Sequence, residues 1–248
     1  MTLTNCHSIL PKIDNIRATL AAHCAQQPDL FACTETWLNG NIGDNLINSA
    51  GYNTFPCDRL GRSGGCSAVF VKQTLRAALL SSPCVKPDNI DCVWIKVPSK
   101  QLYCACVYIP PNLNSTLHLD ITNYIISTFD YLNTNHLDSI IICGDFNDYD
   151  TSKLCTALDV FDIVTVPTRG DAILDKILVT KNIVNFSTEL GPPIASDYKN
   201  SMSDHCCVLS KIILPGAAGG NTIGHNVVYD LRKRFVSNFV SKQHLNNI

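Results

Sequence analysis

Charge is scarce in this 248-residue chain. Asp, Glu, Lys and Arg make up 16% of it, against about 25% in ordinary soluble domains. Neither sign is in excess: 19 basic residues face 21 acidic ones, for a net charge of −2. That excludes a protein that holds nucleic acid by bulk charge, so any such contact must come from a local patch or a specific site. Intrinsic disorder needs low hydrophobicity and high charge, yet 46% of the residues are hydrophobic. No apolar run approaches the ~20 residues of a membrane span, and no membrane partner is expected. The opening MTLTNCHSILPK lacks the basic start and apolar stretch of a secretory signal, so an intracellular, reducing setting is expected. The 13 cysteines include no Cys-x-x-Cys pair, which argues against structural zinc. Most fall inside strand-like runs: Cys33 in LFACTET, Cys104 and Cys106 in LYCACVYI, Cys143 in IIICGDF, Cys206 and Cys207 in DHCCVLS. There they should behave as small buried hydrophobes. Internal repeats are missing as well.

What is present is a succession of short strands with few helices. TLTNCHSI reads as a first strand, and Pro11 suits the first turn of a helix whose Ile13, Ile16, Leu20 and Cys24 share one face. LFACTE follows as a strand and residues 39–48 as a polar loop. YNTFP, CSAVFVK, LRAAL, DCVWIKV and QLYCACVYI are five strand-like runs separated by turn residues. Ser115 is placed to cap a long helix with an inner stripe of Leu117, Ile121, Tyr124, Ile125, Thr128 and Leu132. SIIICGDFN is a buried strand ending in a polar loop. A short helix over 152–158 and the runs AILDKILVT, VNFSTEL and HCCVLSKIIL complete the pattern. Consecutive strands without helices do not suit a purely alternating parallel fold. We expect an α/β sandwich of two sheets covered by helices over residues 1–214. Residues 215–226, centred on GAAGGNTIG, read as a linker. Residues 227–248 read as an amphipathic helix, with Leu231, Phe235 and Phe239 on one face and Arg232, Lys233 and Arg234 beside them.

Polar residues recur where apolar strands end: Asn5, Glu35, Tyr108 to Asn112, the GDFN at 144–147, Asp175, and the SDH at 203–205. Strands converging on one rim can pool such groups from distant parts of the chain. Carboxylate and amide oxygens suit a hard cation such as Mg²⁺. A His beside a carboxylate suits proton transfer or stabilisation of a developing charge. With no convincing nucleophile–base pair, water is the expected nucleophile. Each piece alone has a bland reading, as a turn, a cap or a surface ion pair; their ordered recurrence at strand ends does not.

That order resembles the endonuclease/exonuclease/phosphatase superfamily, over residues 2–214. The motifs TETWL at 34–38, GRSGG at 61–65, YIPPN at 108–112, PTRG at 167–170, ILDKIL at 173–178 and MSDHCCV at 202–208 look like the endonuclease domain of non-LTR retrotransposons, itself similar to apurinic/apyrimidinic endonucleases. The resemblance implies a four-layer α/β sandwich of two mixed sheets packed face to face and flanked by helices. It implies a DNA-nicking hydrolase that leaves a 3′-hydroxyl and a 5′-phosphate. Glu35, Asn5 and Asp204 would hold Mg²⁺, with Mn²⁺ as a substitute. Asp145 would orient or deprotonate the attacking water and Asn147 fix its geometry. His205, oriented by Asp175, would stabilise charge at the scissile phosphate, which Tyr108 and Asn112 would hold. Arg59, Arg62, Thr168, Arg169 and Ser203 are the candidate DNA contacts. The implied partners are DNA and a reverse transcriptase domain of the same polyprotein, and the implied setting is nuclear when genomic DNA is cut. A monomer is expected.

The chain starts four residues before Asn5, so the first strand should be short, and His7 stands where related sequences often carry Arg. Two other readings compete. A phosphoesterase acting on a lipid or inositol head group is disfavoured by TETWL and PTRG. A catalytically silent interaction domain is disfavoured by the complete set of site residues.

Overall fold

The computed structural model describes residues 1–21, 27–57, 64–133, 138–195 and 202–216, and residues Met1–Pro215 form one compact unit. Two six-stranded sheets build it. The first contains β1 (Thr2–Asn5), β2 (Leu30–Thr34), β3 (Tyr52–Cys57), β4 (Ser67–Lys72), β11 (Asn185–Gly191) and β12 (Cys207–Ile213), in the order β11-β12-β1-β2-β4-β3. The second contains β5 (Ala78–Leu79), β6 (Asp91–Val97), β7 (Leu102–Tyr108), β8 (Ser139–Asp145), β9 (Val160–Asp162) and β10 (Asp175–Thr180), in the order β5-β6-β7-β8-β10-β9. Parallel strands need a long crossover, and antiparallel ones do not. The parallel pairs are β1/β2 and β7/β8. They are the pairs bridged by α1 (Ile13–Leu20) and α2 (Ser115–Leu132).

Alternation along the strands sorts the side chains into layers. Leu3, Ala32, Val69 and Val71 of the first sheet meet Val93, Ile95, Cys104, Cys106, Ile141, Cys143, Ile177 and Val179 of the second. On the outer face of the first sheet, Phe31, Cys33 and Phe70 pack on Ile13, Ile16 and Leu20 of α1. On the outer face of the second, Trp94, Tyr103, Ala105 and Ile142 pack on Ile121, Ile125 and Phe129 of α2 and on Leu154 and Leu158 of α3 (Ser152–Leu158). This is an α/β sandwich of two mixed sheets flanked by a few helices, as expected. The cysteines behave as the composition implied: the twelve described are free thiols, seven of them buried. Burial pushes the Cys207 thiol up to about 12, which leaves it protonated and inert.

Several local expectations shift. The cap of α2 is Asn114, whose Oδ1 accepts from the Leu117 N–H at 2.9 Å, and Ser115 is the first helical residue. Phe129 joins the buried stripe of α2, while Leu117 is only half-buried. The LRAAL run yields only the two-residue β5, because a 3₁₀ turn over Gln73–Leu75 ends on Arg76 in a left-handed conformation (φ 51°). The short β9 carries too few residues to show a period. Residues 39–48 hold a 3₁₀ turn, Asp44–Leu46. Cys24, most of the proposed linker and all of the proposed C-terminal helix lie outside the described residues. Among the described residues, no helix is long and apolar enough to cross a membrane.

Candidate active site

Strand register brings the chemistry to one rim. In the second sheet Asp91 lies opposite Tyr108, Tyr108 opposite Asp145, and Asp145 opposite Asp175. In the first sheet Asn5 lies opposite Thr34, and Glu35 follows directly. Gly144 permits this alignment. A Cβ there would stand 1.8 Å from the Val107 carbonyl oxygen, so only glycine lets β7 and β8 approach closely enough to seat Asp145.

Asn5 ties the two sheets together. Its Nδ2 donates to Glu35 Oε1 at 3.0 Å and to Asp145 Oδ2 at 2.8 Å, while its Oδ1 accepts from the His7 N–H at 3.0 Å. The amide nitrogen, not the oxygen, therefore faces the carboxylates. Asp145 Oδ1 accepts from the Asn147 N–H at 2.9 Å, and Asn147 Nδ2 donates to the Ile109 carbonyl at 2.8 Å. His205 Nδ1 lies 2.7 Å from Asp175 Oδ2. An ionised carboxylate can only accept, so Nδ1 carries the proton and the ring's orientation is set. Asn5, Asp145, Asp175 and His205 are all at most 1% exposed; Glu35 and Asn147 are half-buried and Asp204 is exposed.

Burial pushes the Asp145 carboxyl up to about 7, and the charge of Asp175 adds to this against the pull of His205, the Asn147 N–H and Asn5. Burial alone would lower the His205 imidazole, but its hydrogen bond to Asp175 and the charges of Asp175, Asp145 and Asp204 raise it on balance. One coordinating atom from each of Asp145, Asp175 and His205 falls within 4.8 Å of the others. Asp175 Oδ1 is buried without a hydrogen-bond partner. Two buried carboxylates beside one imidazole, with the Asp175 Oδ1 left over, fit a hard divalent cation.

The expected DNA contacts divide. Thr168 is buried, and its Oγ1 accepts from the Leu174 and Asp175 N–H groups, both at 3.1 Å. Ser203 is buried as well; its hydroxyl donates to the Asn5 carbonyl at 2.6 Å and accepts from the His205 N–H at 3.2 Å. Both hydroxyls thus brace the backbone at Asn5, Asp175 and His205 from within the wall rather than facing outward. Arg169 pairs with Asp204 at 2.5 Å on the exposed side of the site, and Asp204 Oδ1 stands 4.0 Å from His205 Nε2. Tyr108 is buried beside Asp145. Asn112 lies on an exposed turn, with φ 59° and its N–H on the Asp148 carboxylate at 3.1 Å. Arg59 and Arg62 lie outside the described residues.

Two supporting residues escaped sequence reasoning. Asp91, buried at the same rim, accepts from the Cys66 N–H at 2.8 Å. It is a carboxylate at the start of an apolar strand, so the rule that singled out Asp175 applies to it equally. Lys12 is 1% exposed, and its ammonium donates to the His7 carbonyl at 2.8 Å. Nothing in its sequence context announces burial.

Solved structures with this architecture include an AP endonuclease from Archaeoglobus fulgidus, 14% identical with a TM-score of 0.60, over 86% of this chain and 98% of that one. A 3′–5′ exonuclease from Neisseria meningitidis is 12% identical with a TM-score of 0.64, over 85% and 98%. A mannosyl-6-phosphatase from Bacteroides thetaiotaomicron is 15% identical with a TM-score of 0.58, over 86% and 100%. These likenesses concern the fold. No curated protein matches the chain in sequence. Residues 4–205, a span that starts just before Asn5 and ends on His205, match the Endonuclease/Exonuclease/phosphatase family, and the chain belongs to it.

Proposed function

We propose that this protein is a Mg²⁺-dependent DNA endonuclease that nicks one strand by water attack, acting as the target-site nickase of a non-LTR retrotransposon. The observation that carries the reading is the buried cluster in which Asn5 of one sheet grips Glu35 and Asp145 while Asp175 orients His205. The retrotransposon assignment rests on the motifs TETWL, YIPPN, PTRG and MSDHCCV. Asp145, with its carboxyl near neutrality, suits the task of taking a proton from the attacking water. Asn147 fixes that carboxylate through its N–H. The His205 imidazole, raised on balance, holds a proton where charge grows on the phosphate oxygens. Tyr108 and Asn112 are assigned to the phosphate, and Arg169, Arg59 and Arg62 to the strand. Oxygen attack on phosphorus breaks the bond to the 3′ oxygen, leaving a 3′-hydroxyl and a 5′-phosphate. Mg²⁺, or Mn²⁺ in its place, would supply positive charge at those oxygens; Glu35 and Asp204 would hold it, while Asn5, whose Nδ2 faces the carboxylates and whose Oδ1 is taken by the His7 N–H, would position Glu35 rather than bind the ion. In the element, the 3′-hydroxyl primes a reverse transcriptase domain of the same polyprotein.

Nicking of supercoiled plasmid with and without Mg²⁺ tests this directly. Conversion to open circle only with the metal is the expected result. Hydrolysis of phosphoinositides or sphingomyelin with no plasmid nicking would replace the reading with a lipid phosphoesterase. Inactivity on both would leave an interaction domain.

A further inference from the structure

Around Glu35, the rim carries an unusual concentration of left-handed backbone. His7 (φ 43°), Ser8 (75°), Glu35 (48°), Trp37 (58°) and Cys66 (67°) all sit at positive φ without being glycine. Such residues are uncommon, and bulky side chains more so. They persist only where the surroundings enforce them, and they cluster at functional sites.

Here the enforcement is visible. The Ser8 N–H donates to the Glu35 carbonyl at 2.8 Å and the Ile9 N–H to the Thr36 carbonyl at 3.0 Å. On the other side the Trp37 N–H donates to the Gly65 carbonyl at 3.0 Å. Buried Lys12 and Asp91 hold the flanking turns through the His7 carbonyl and the Cys66 N–H. The product of this clamping is a pair of outward-facing rings. Trp37 is 39% exposed between buried Thr36 and Leu38. Its ring meets that of exposed His7 edge-on, with centroids 4.9 Å apart. The pair adjoins the site on both arms: the His7 N–H is bonded to Asn5, and Trp37 stands two residues after Glu35.

A core-filling indole would be turned inward. This one stays 39% exposed two residues after Glu35, on a backbone that already bears the ordering cost, which preorganises it for a flat ligand. We propose that the His7–Trp37 pair is a stacking platform for a nucleobase next to the cleaved phosphodiester, so that strands with unstacked bases at the cut are preferred. Every base has a π-face, so a platform of this kind binds without reading sequence. The proposal rests on the endonuclease reading for its ligand.

Fluorescence separates the two. The chain has two tryptophans, and Trp94 is 2% exposed, so emission quenched by solutes comes from Trp37. In EDTA, a short oligothymidylate should quench it, and an abasic oligomer of equal length, with the same phosphates and no bases, should not. Trp37→Phe keeps a π-face and should nick with a KM close to that of the native chain. Trp37→Leu keeps bulk alone and should raise KM roughly tenfold, with the loss in KM rather than kcat. Equal quenching by the abasic oligomer, or a Leu variant with unchanged KM, would overturn the platform and leave the endonuclease reading intact. Base-dependent quenching in a protein that never nicks would sink the endonuclease reading and leave the platform standing.

Discussion

At the scale of single residues, the buried polar groups of the candidate site are each held by a neighbour's hydrogen bond. Glu35→Ala should abolish plasmid nicking with an unchanged circular dichroism spectrum, since Glu35 stands half-buried at a rim rather than in the core. His205→Ala and Asp145→Ala should each lower kcat at least ~10²-fold with little change in KM. Wild-type turnover by Asp145→Asn across pH 6–8 would remove that carboxylate from the water-activating role. Stability should report the same group when metal is withheld. Burial, aided by Asp175, raises the folded Asp145 carboxyl from 3.8 to about 7, so the folded chain keeps a proton that the unfolded chain gives up. Stability then falls as pH rises from about 4 to 7. His205, also raised, adds a term in the same direction, present below its unfolded value of 6.5 and lost as pH climbs through the folded one. Thermal melts in EDTA should show the native chain losing Tm over that range and Asp145→Asn losing less. Parallel slopes would contradict the assignment. Much of this scale was legible beforehand, because a carboxylate closing an apolar strand has nowhere to go but the rim. The hydroxyls of Thr168 and Ser203 were not, since a hydroxyl's partner is chosen by tertiary packing. Asn114 and Ser115 are adjacent residues that both cap well, and sequence could not rank them.

At the scale of elements, the outcome turns on β7 and β8. Their parallel register sets Tyr108 against Asp145, and Gly144 is what makes the approach sterically available. Gly144→Ala should therefore push the strands apart at the site end. We expect a loss of kcat larger than the loss of stability, read by pairing kinetics with urea midpoints. A variant equally impaired in both would show that Gly144 serves the sandwich generally. Strands with four or more alternating or apolar residues were readable from pattern. β9 was not, because three residues display no period, and LRAAL reads as a full strand although only its last two residues become β5; both strands lie at the edges of their sheet.

At the scale of the whole molecule, two sheets face each other across one apolar layer and the chemistry sits where their ends meet. Every assigned site residue precedes position 206, and Met1–Pro215 is a compact unit. A chain ending at Pro215 should keep Mg²⁺-dependent nicking. Loss of activity with the core still folded by circular dichroism would make the tail part of the functional unit. The two-sheet architecture was readable from strands that follow one another without helices. Which strands become neighbours was not, because β12 lies between β11 and β1, far from β1 in sequence.

That placement has a consequence for synthesis. The hydroxyl of Ser203 closes on the Asn5 carbonyl across 198 positions, and β12 completes the sheet from the opposite end of the domain. During translation, Asn5, Glu35, Asp145 and Asp175 all emerge before His205, and β12, which follows His205, is the last of the described strands to emerge. A prematurely terminated chain therefore carries most of the carboxylates but neither the imidazole nor the strand that registers it. On the endonuclease reading, a chain that stops before His205 should not nick plasmid, because it lacks both the imidazole and the strand that sets its register.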